Sequence, residues 1–191
     1  MKKNEKSQKT RRKIVVAVSG GFDPIHIGHV RLIQEAAKLG DEVVVILNND
    51  NWLMKKKKFV FMPEKERAEI LAGIRGVSRV VLSFHTKNPK DMGVGKEIEK
   101  VKPDIMAQGG DRKADADIPP SEINAYKKVG CKAVYNVGWG GKVQSSSLMA
   151  ARMIENAINN VCPCKSGKNY TACGLKNTIE HKKLLKALLN G

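Results

Sequence analysis

The sequence predicts an α/β fold, a doubly wound parallel sheet with helices on both faces, followed by a small C-terminal cysteine-containing module. Three observations predict it. Short, apolar, β-branched runs alternate with segments of helical period at least four times, and that alternation forces right-handed crossovers and a parallel sheet. The 191 residues, 41% hydrophobic, suit one domain with an appendage and suffice for a real core. The character of the chain changes after residue 160, where Cys162, Cys164 and Cys173 fall close together. The expected organisation is a basic disordered arm over 1–13, a folded domain over 14–160, and a module over 161–191.

Each element has a local reason. Ile14–Val18 is a short β-branched run, as a buried parallel strand should be. From Val30 to Leu39 apolar residues keep a helical period, and Gly40 supplies the stop. Glu42–Leu47 reads as the second strand. Lys55 to Lys58 reads as a lysine loop. Pro63 suits the first turn of a helix, with Glu64 and Glu66 complementing its dipole and Ala68, Ile70, Leu71 and Ile74 continuing it. Arg79–Phe84 is the third strand, and a short helix follows from about Gly95 to Lys100. Asp104–Gln108 is the fourth strand, ending at Gly109-Gly110. Ser121–Val129 is a helix closed by Gly130, Lys132–Val137 the fifth strand, and Ser147–Asn159 the next helix. The tail from Thr178 has amphipathic spacing and reads as a short helix.

The net charge of +16 is unevenly spread. Residues 1–13 contribute +6 and residues 165–191 contribute +5, leaving +5 for the long middle. A pI near 9.8 suggests a nucleic-acid partner, but that signal belongs mostly to the two ends. No apolar run approaches the ~18 residues of a membrane span. The basic N-terminus lacks the apolar stretch of a secretory signal, so a cytoplasmic setting is expected, with cysteines free or metal-bound rather than bridged. Cys131, far from the others, reads as a half-apolar core residue.

The most informative segment is VSGGFDPIHIGHVRLIQEA, residues 18–36. Gly20 and Gly21 directly after the first strand let backbone N–H groups approach an anion. His26 and His29 sit at the start of the first helix, where the dipole is positive, and Gly28 lets a nucleotide lie close. In an open parallel sheet, ligands bind beyond the C-terminal strand ends at the topological switch point. No GxGxxG dinucleotide fingerprint is present.

The string GFDPIHIGHV resembles the GxFDxxHxGH signature of the cytidylyltransferase-like nucleotidyltransferases, which have a Rossmann-like fold. The resemblance implies that an NTP, ATP or CTP, is coupled to a phosphorylated sugar or polyol with release of pyrophosphate. It implies that His26 and His29 stabilise the α-phosphoryl group, with Phe22, Asp23 and Gly28 at the nucleotide. Three further segments match in order. QSSSLM (144–149) resembles the second signature of the family, placing Ser145, Ser146 and Ser147 at the phosphates and Arg152 one turn on. NDNWLMKKKKFVFMPEKER (49–67) resembles its lysine loop and ER pair, nominating Lys55 as catalytic and Lys56, Lys57, Lys58 and Arg67 as phosphate or acceptor contacts. KPDIMAQGGDR (102–112) resembles the GGD segment of heptose 1-phosphate adenylyltransferases, nominating Gly110, Asp111 and Arg112. Glycerol-3-phosphate cytidylyltransferases share the GFD start. The resemblance implies Mg²⁺ with the triphosphate, and homodimers are common in the superfamily.

VCPCKSGKNYTACG (161–174) resembles the SEC-C zinc motif through Cys162, Cys164 and Cys173. It departs from the motif at the last ligand, where position 174 is Gly. His181 is the nearest other candidate for a Zn²⁺ ligand. Such modules are mostly interaction elements, which implies a protein or nucleic-acid partner. The competing reading is a nucleic-acid- or ribosome-associated binding protein that uses its basic ends, with the core as nucleotide sensor.

Overall fold

The structure is a computed structural model that describes residues 11–109, 112, 115–138, 145–149 and 168. The chain divides into two compact units, one up to Gln144 and one from Ser145. In the first unit the elements run β1 (Val15–Gly20), α1 (Ile27–Ala36), β2 (Glu42–Leu47), α2 (Asp50–Lys57), α3 (Glu64–Ala72), β3 (Arg79–Leu82), α4 (Gly95–Val101), β4 (Ile105–Gly109), α5 (Pro120–Val129) and β5 (Lys132–Val137), with a 3₁₀ turn at Asp115–Asp117 before α5. All five strands are parallel, in the order β3-β2-β1-β4-β5. The predicted parallel α/β sheet is therefore the fold.

Strand alternation makes two cores. Val16 and Val18 of β1, Val43, Val45 and Leu47 of β2 and Ala107 of β4 face one side, with Ile33 and Ala36 of α1 and Leu71 of α3. Ala17, Ile46 and Met106 face the other, with Ile98 of α4 and Ala125 and Tyr126 of α5. Both faces are covered, so the strands read as continuous apolar runs rather than alternating ones. Order reverses between β1 and β4: β2 and β3 are added on one side of β1, β4 and β5 on the other. The crevice between the C-terminal ends of β1 and β4 is where such a sheet binds ligands.

Several boundaries move from expectation, each for a local reason. The first helix begins at Ile27, one turn before Val30, because His26 caps it. The lysine run is not a loop. Lys55–Lys57 form the last turn of α2 and Lys58 is its left-handed C-cap. Asn49 starts that helix by accepting the Trp52 N–H on its side chain at 3.1 Å. Pro63 lies one position outside α3, as its N-cap. β3 stops at Leu82 because the Ser83 side chain and carbonyl turn to bond Asn49. A bulge between Ala107 and Gly109 puts Asn136 at a positive φ of 56° and bends the β4–β5 edge beside the crevice.

In the second unit, residues 146–149 are helical and Ser145 caps them, its Oγ accepting the Leu148 N–H at 3.0 Å. Among the described residues, no helix is long and apolar enough to cross a membrane.

Packing is close where α1 turns back into β2. A Cβ on Gly40 would lie 2.7 Å from the Ile14 carbonyl oxygen and 2.7 Å from Val16 Cγ2. Gly40→Ala is therefore expected to lower the unfolding free energy by about 1–3 kcal/mol, the ordinary cost of overpacking. Gly73→Ala, where the nearest atom is 3.5 Å away and φ is −78°, is expected to stay within about 0.5 kcal/mol of the parent or rise above it. Urea titration of the two variants checks both.

Candidate active site

The site is built where β1 runs into α1, at the C-terminal edge of the sheet. His26 is the N-cap of α1, and its Nδ1 accepts the Gly28 N–H at 3.1 Å. Reciprocally, His29 Nδ1 accepts the His26 N–H at 3.2 Å. The two residues form a capping box with imidazoles in place of the usual hydroxyl and carboxylate. The rings stack with centroids 3.7 Å apart and planes inclined by 20°.

This arrangement fixes chemistry. A ring nitrogen that accepts a hydrogen bond carries no proton, so in the neutral rings both protons sit on Nε2. Burial, the adjacent His26 and Lys57 push His29 down to about 3. Burial, and then Lys57, also lowers His26. At neutral pH the pair is two uncharged imidazoles, each with an Nε2–H donor left for a ligand. The amides of His26 and Gly28, which helix geometry would otherwise aim at an anion, are spent on the rings. The polarity of those two amides therefore emerges at the imidazole Nε2–H groups.

Phe22 and Asp23 position the pair. Phe22 sits at a positive φ of 49°, costly for a residue with a Cβ, and its buried ring meets His29 edge-on at 4.8 Å. Asp23 is fully buried, and its carboxylate accepts the backbone N–H groups of Phe61 at 2.9 Å and Met62 at 2.7 Å. It ties the α2–α3 connection to the β1–α1 loop. The glycines have packing roles as well: a Cβ on Gly20 would meet the Phe22 ring at 3.2 Å, and one on Gly21 would meet Leu53 at 2.9 Å.

The four lysines separate. Lys57 donates to the Asp23 carbonyl and lies close enough to both histidines to act on their titration. Burial lowers its own pKa below the usual lysine value, with Arg67 adding to the effect and Asp23 opposing it. The Lys55 ammonium is bonded to Asn88 Oδ1 at 2.7 Å, in the connection after β3. Lys56 and Lys58 are exposed. The geometry thus joins Lys57, rather than Lys55, to the histidine pair.

Arg67 corrects an expectation. It does not present its guanidinium to a ligand. It is fully buried, with Nε donating to the Met62 carbonyl at 2.8 Å and Nη1 to those of Gly21 at 2.6 Å and Asn48 at 2.8 Å. Nη2 pairs with Asp50. The family resemblance of the ER pair implies a phosphate or acceptor contact, whereas the Arg67 donors are consumed by carbonyls of two strand ends and of the loop before α3, and by Asp50.

Arg112 donates to Gln108 Oε1 at 2.8 Å and lies 3.8 Å from buried Glu122, in a chain that continues from Gln108 to the Tyr126 hydroxyl and on to Glu122. Burial raises the Glu122 and Tyr126 pKa values. This network was not legible from sequence. Gly110, Asp111, Arg152, Cys162, Cys164, Cys173 and His181 lie outside the described residues, and the side chains of Ser146 and Ser147 belong to the second unit with the Ser145 cap.

Beyond β3 a cleft of about 160 Å³ is lined by Phe84, His85, Thr86, Lys90, Lys96 and Glu97, among others. Trp52 links it to the site: a Cβ on Gly21 would lie 3.3 Å from its ring, and its indole N–H bonds the Met92 carbonyl at 2.9 Å. The described residues contain no group of three or more His, Cys, Asp or Glu placed to hold a metal. Asp23 gives both carboxylate oxygens to amides, and Asp50 pairs one of its oxygens with Arg67.

The His29 shift has a thermodynamic consequence. Its folded pKa lies below its unfolded value of about 6.5, so the unfolded chain binds the proton first. Stability from this group is full above pH 6.5 and is lost as pH falls toward 3. Between pH 6.5 and 4.5 the expected loss is about 2 kcal/mol. Thermal melts across that range should show it, and His29→Gln should flatten the slope.

Comparison with known proteins agrees with this geometry. The cytidylyltransferase-like family pattern matches residues 17–159. The FAD synthase of Pyrococcus horikoshii is 39% identical over 107 residues, covering 56% of this chain and 69% of that protein. The bifunctional protein HldE of Syntrophotalea carbinolica is 30% identical over 156 residues, covering 81% of this chain. The chain spans only 28% of that relative's length. Among solved structures, the lipopolysaccharide core biosynthesis protein from Thermoplasma volcanium superposes with a TM-score of 0.53 at 28% identity, over 68% of this chain and all of that one. With the family pattern spanning most of its length, from β1 onward, the chain belongs to the cytidylyltransferase-like family.

Proposed function

We propose that this protein, a nucleotidyltransferase-type enzyme by its family, transfers a nucleotidyl group from ATP or CTP to the phosphate of a sugar or polyol, releasing pyrophosphate. The observation that carries the reading is the stacked histidine pair. It offers two neutral Nε2–H donors at the C-terminal sheet edge, with the Lys57 cation beside them.

The chemistry follows from those donors. An oxygen of the acceptor phosphate attacks the α-phosphorus in line. The new P–O bond forms as the α–β bridging bond breaks, and its electron pair leaves with pyrophosphate. No protein nucleophile is needed, so the residues contribute position and charge. His26 and His29 donate from Nε2 to the α-phosphoryl oxygens, and the rigid capping box holds both donors without reorganisation. Lys57 is a point charge for the triphosphate. A divalent cation such as Mg²⁺ would neutralise the phosphates. With Asp23 bonded to two amides and Asp50 paired with Arg67, it would be held mainly by phosphate oxygens.

The cleft beyond β3 suits the body of the acceptor. Lysines, a carboxylate, a threonine hydroxyl and the Phe84 ring together fit a hydroxyl-bearing chain better than a flat apolar ring. The family resemblance of Ser145–Ser147 supports a role at the β- and γ-phosphates. Residues 161–174 resemble a zinc motif, which supports a structural Zn²⁺ on Cys162, Cys164 and Cys173.

Pyrophosphate release with Mg²⁺, ATP or CTP, and a panel of sugar and polyol phosphates tests the reading, and no release with either nucleotide across the panel overturns it. His26→Ala is expected to lower kcat by about 10²–10³ with a smaller change in KM, since the contacts strengthen in the transition state. Lys57→Ala should cost far more activity than Lys55→Ala. Because the Lys57 pKa is depressed, activity should fall on an alkaline limb below pH 10.5. Lys57→Arg, with a guanidinium that keeps its charge, should remove that limb, as a pH–rate profile would show.

A further inference from the structure

The end of the sheet opposite the histidine pair carries a charge that catalysis does not use. Five short segments meet there: residues 11–14 leading into β1, and the connections 37–41, 73–78, 102–104 and 130–131 that bring helices back to β2, β3, β4 and β5. With the first residue of each strand, they hold three acids, Asp41, Glu42 and Asp104. Each acid is already paired, with Arg11 at 2.6 Å, Lys13 at 2.8 Å and Arg12 at 2.7 Å respectively. Lys38 is likewise engaged by Glu35.

Four cations remain. Arg75, Arg79, Lys102 and Lys132 are exposed, and the side chain of none has an ion-pair or hydrogen-bond partner among the described residues. Arg79 opens β3 and Lys132 opens β5, the two edge strands, while Lys102 precedes β4. At about 4.8 Å per strand, five strands spread these charges over roughly 19 Å. Helix C-termini converge at this end and favour some positive charge. That preference explains cations in the last helical turns, but not arginine and lysine on the first residues of edge strands.

From this placement we propose that the end of the sheet remote from the active site docks on the phosphate backbone of a nucleic acid. A roughly 19 Å row of unpaired cations matches about five or six nucleotides of a strand, at ~3.4 Å each. The arginines offer the planar fork that fits phosphate oxygens. None of the exposed large apolar side chains, such as Phe59, Phe61 and Phe84, lies in the five segments, so the surface has no anchor for a bilayer. Strands of five or six residues keep it about 17–20 Å from the histidines. Docking therefore leaves the catalytic edge open.

The experiment is a fluorescence-anisotropy titration of the full chain against a labelled 20-nucleotide single-stranded RNA and a 20-base-pair DNA duplex, between 50 and 200 mM salt. Arg79→Glu combined with Lys132→Glu is expected to weaken RNA binding at least tenfold at 100 mM salt. It should also flatten the log–log salt slope by about 1.4, at ~0.7 per phosphate contact on a single strand. Lys65→Glu combined with Lys87→Glu, the same charge change on exposed positions elsewhere, should stay within threefold of the parent. Equal losses in the two double variants would reduce the effect to net charge and overturn the proposal. So would the absence of RNA and DNA binding by the parent at 50 mM salt, or tighter binding to phosphatidylcholine–phosphatidylserine vesicles than to either nucleic acid. Pyrophosphate release and the thermal midpoint, measured on the same samples, should be unchanged in Arg79→Glu/Lys132→Glu. That separates a docking defect from misfolding and from failure of the catalytic reading.

Discussion

Four segments of the chain converge on one buried guanidinium. Arg67 reaches from α3 to the carbonyls of Gly21 after β1, Asn48 after β2 and Met62 before α3, and to the Asp50 carboxylate at the start of α2. Strand ends at a switch point leave carbonyls that no neighbouring strand can satisfy, and burying them unpaired costs about 1–3 kcal/mol each. A single arginine answers two of them, at Gly21 and Asn48, takes the Met62 carbonyl of the loop before α3 as a third, and balances its charge on Asp50. The Gly-Gly turn, the α2 helix with its lysines and the loop that Asp23 grips all take their positions from it. The residue is thus a positioning element for the site, acting through the backbone it holds.

On that frame the histidine pair works as a relay. The helix start does not present the His26 and Gly28 amides to a ligand. It donates them into Nδ1 of each ring, and the polarity emerges at Nε2. An amide donated to one nitrogen of an imidazole strengthens the opposite N–H as a donor, because bonds in a chain polarise one another. Stacking at 3.7 Å and the Phe22 edge leave the rings little freedom to turn. Burial then keeps both rings neutral, which spares the site the repulsion of two adjacent imidazoliums.

The sequence was most legible where physics is local. Glu42–Leu47 and Lys132–Val137 were read with the bounds the structure shows, because a β-branched run bounded by turn residues has few alternatives. The two histidines were placed at the helix start, but the helical period was read only from Val30, because histidine is not a usual N-cap. Its spacing of three from a second histidine was the available signal. The α2 helix was hidden by its lysines, although Asn49-Asp50 ahead of it is an ordinary helix start. Arg67 was misread for a different reason: arginine is almost never fully buried, and only the convergence of strand ends makes burial favourable. Strand order, and with it the identity of the crevice, follows from packing across the whole sheet and is not written in any one segment.

The tautomers have a further consequence, for selectivity. Two histidines three residues apart on a helix are a familiar chelate for zinc, nickel or copper, and such a pair in a cell is exposed to all three. Here neither ring offers a lone pair. Nδ1 is occupied by an amide hydrogen, and Nε2 carries the proton. A metal ion would have to displace a proton and then draw two nearly parallel rings toward one point, against their stacking. The capping box that orients the donors therefore also shields them, and the ring nitrogens that could have made a metal trap are committed to hydrogen bonding.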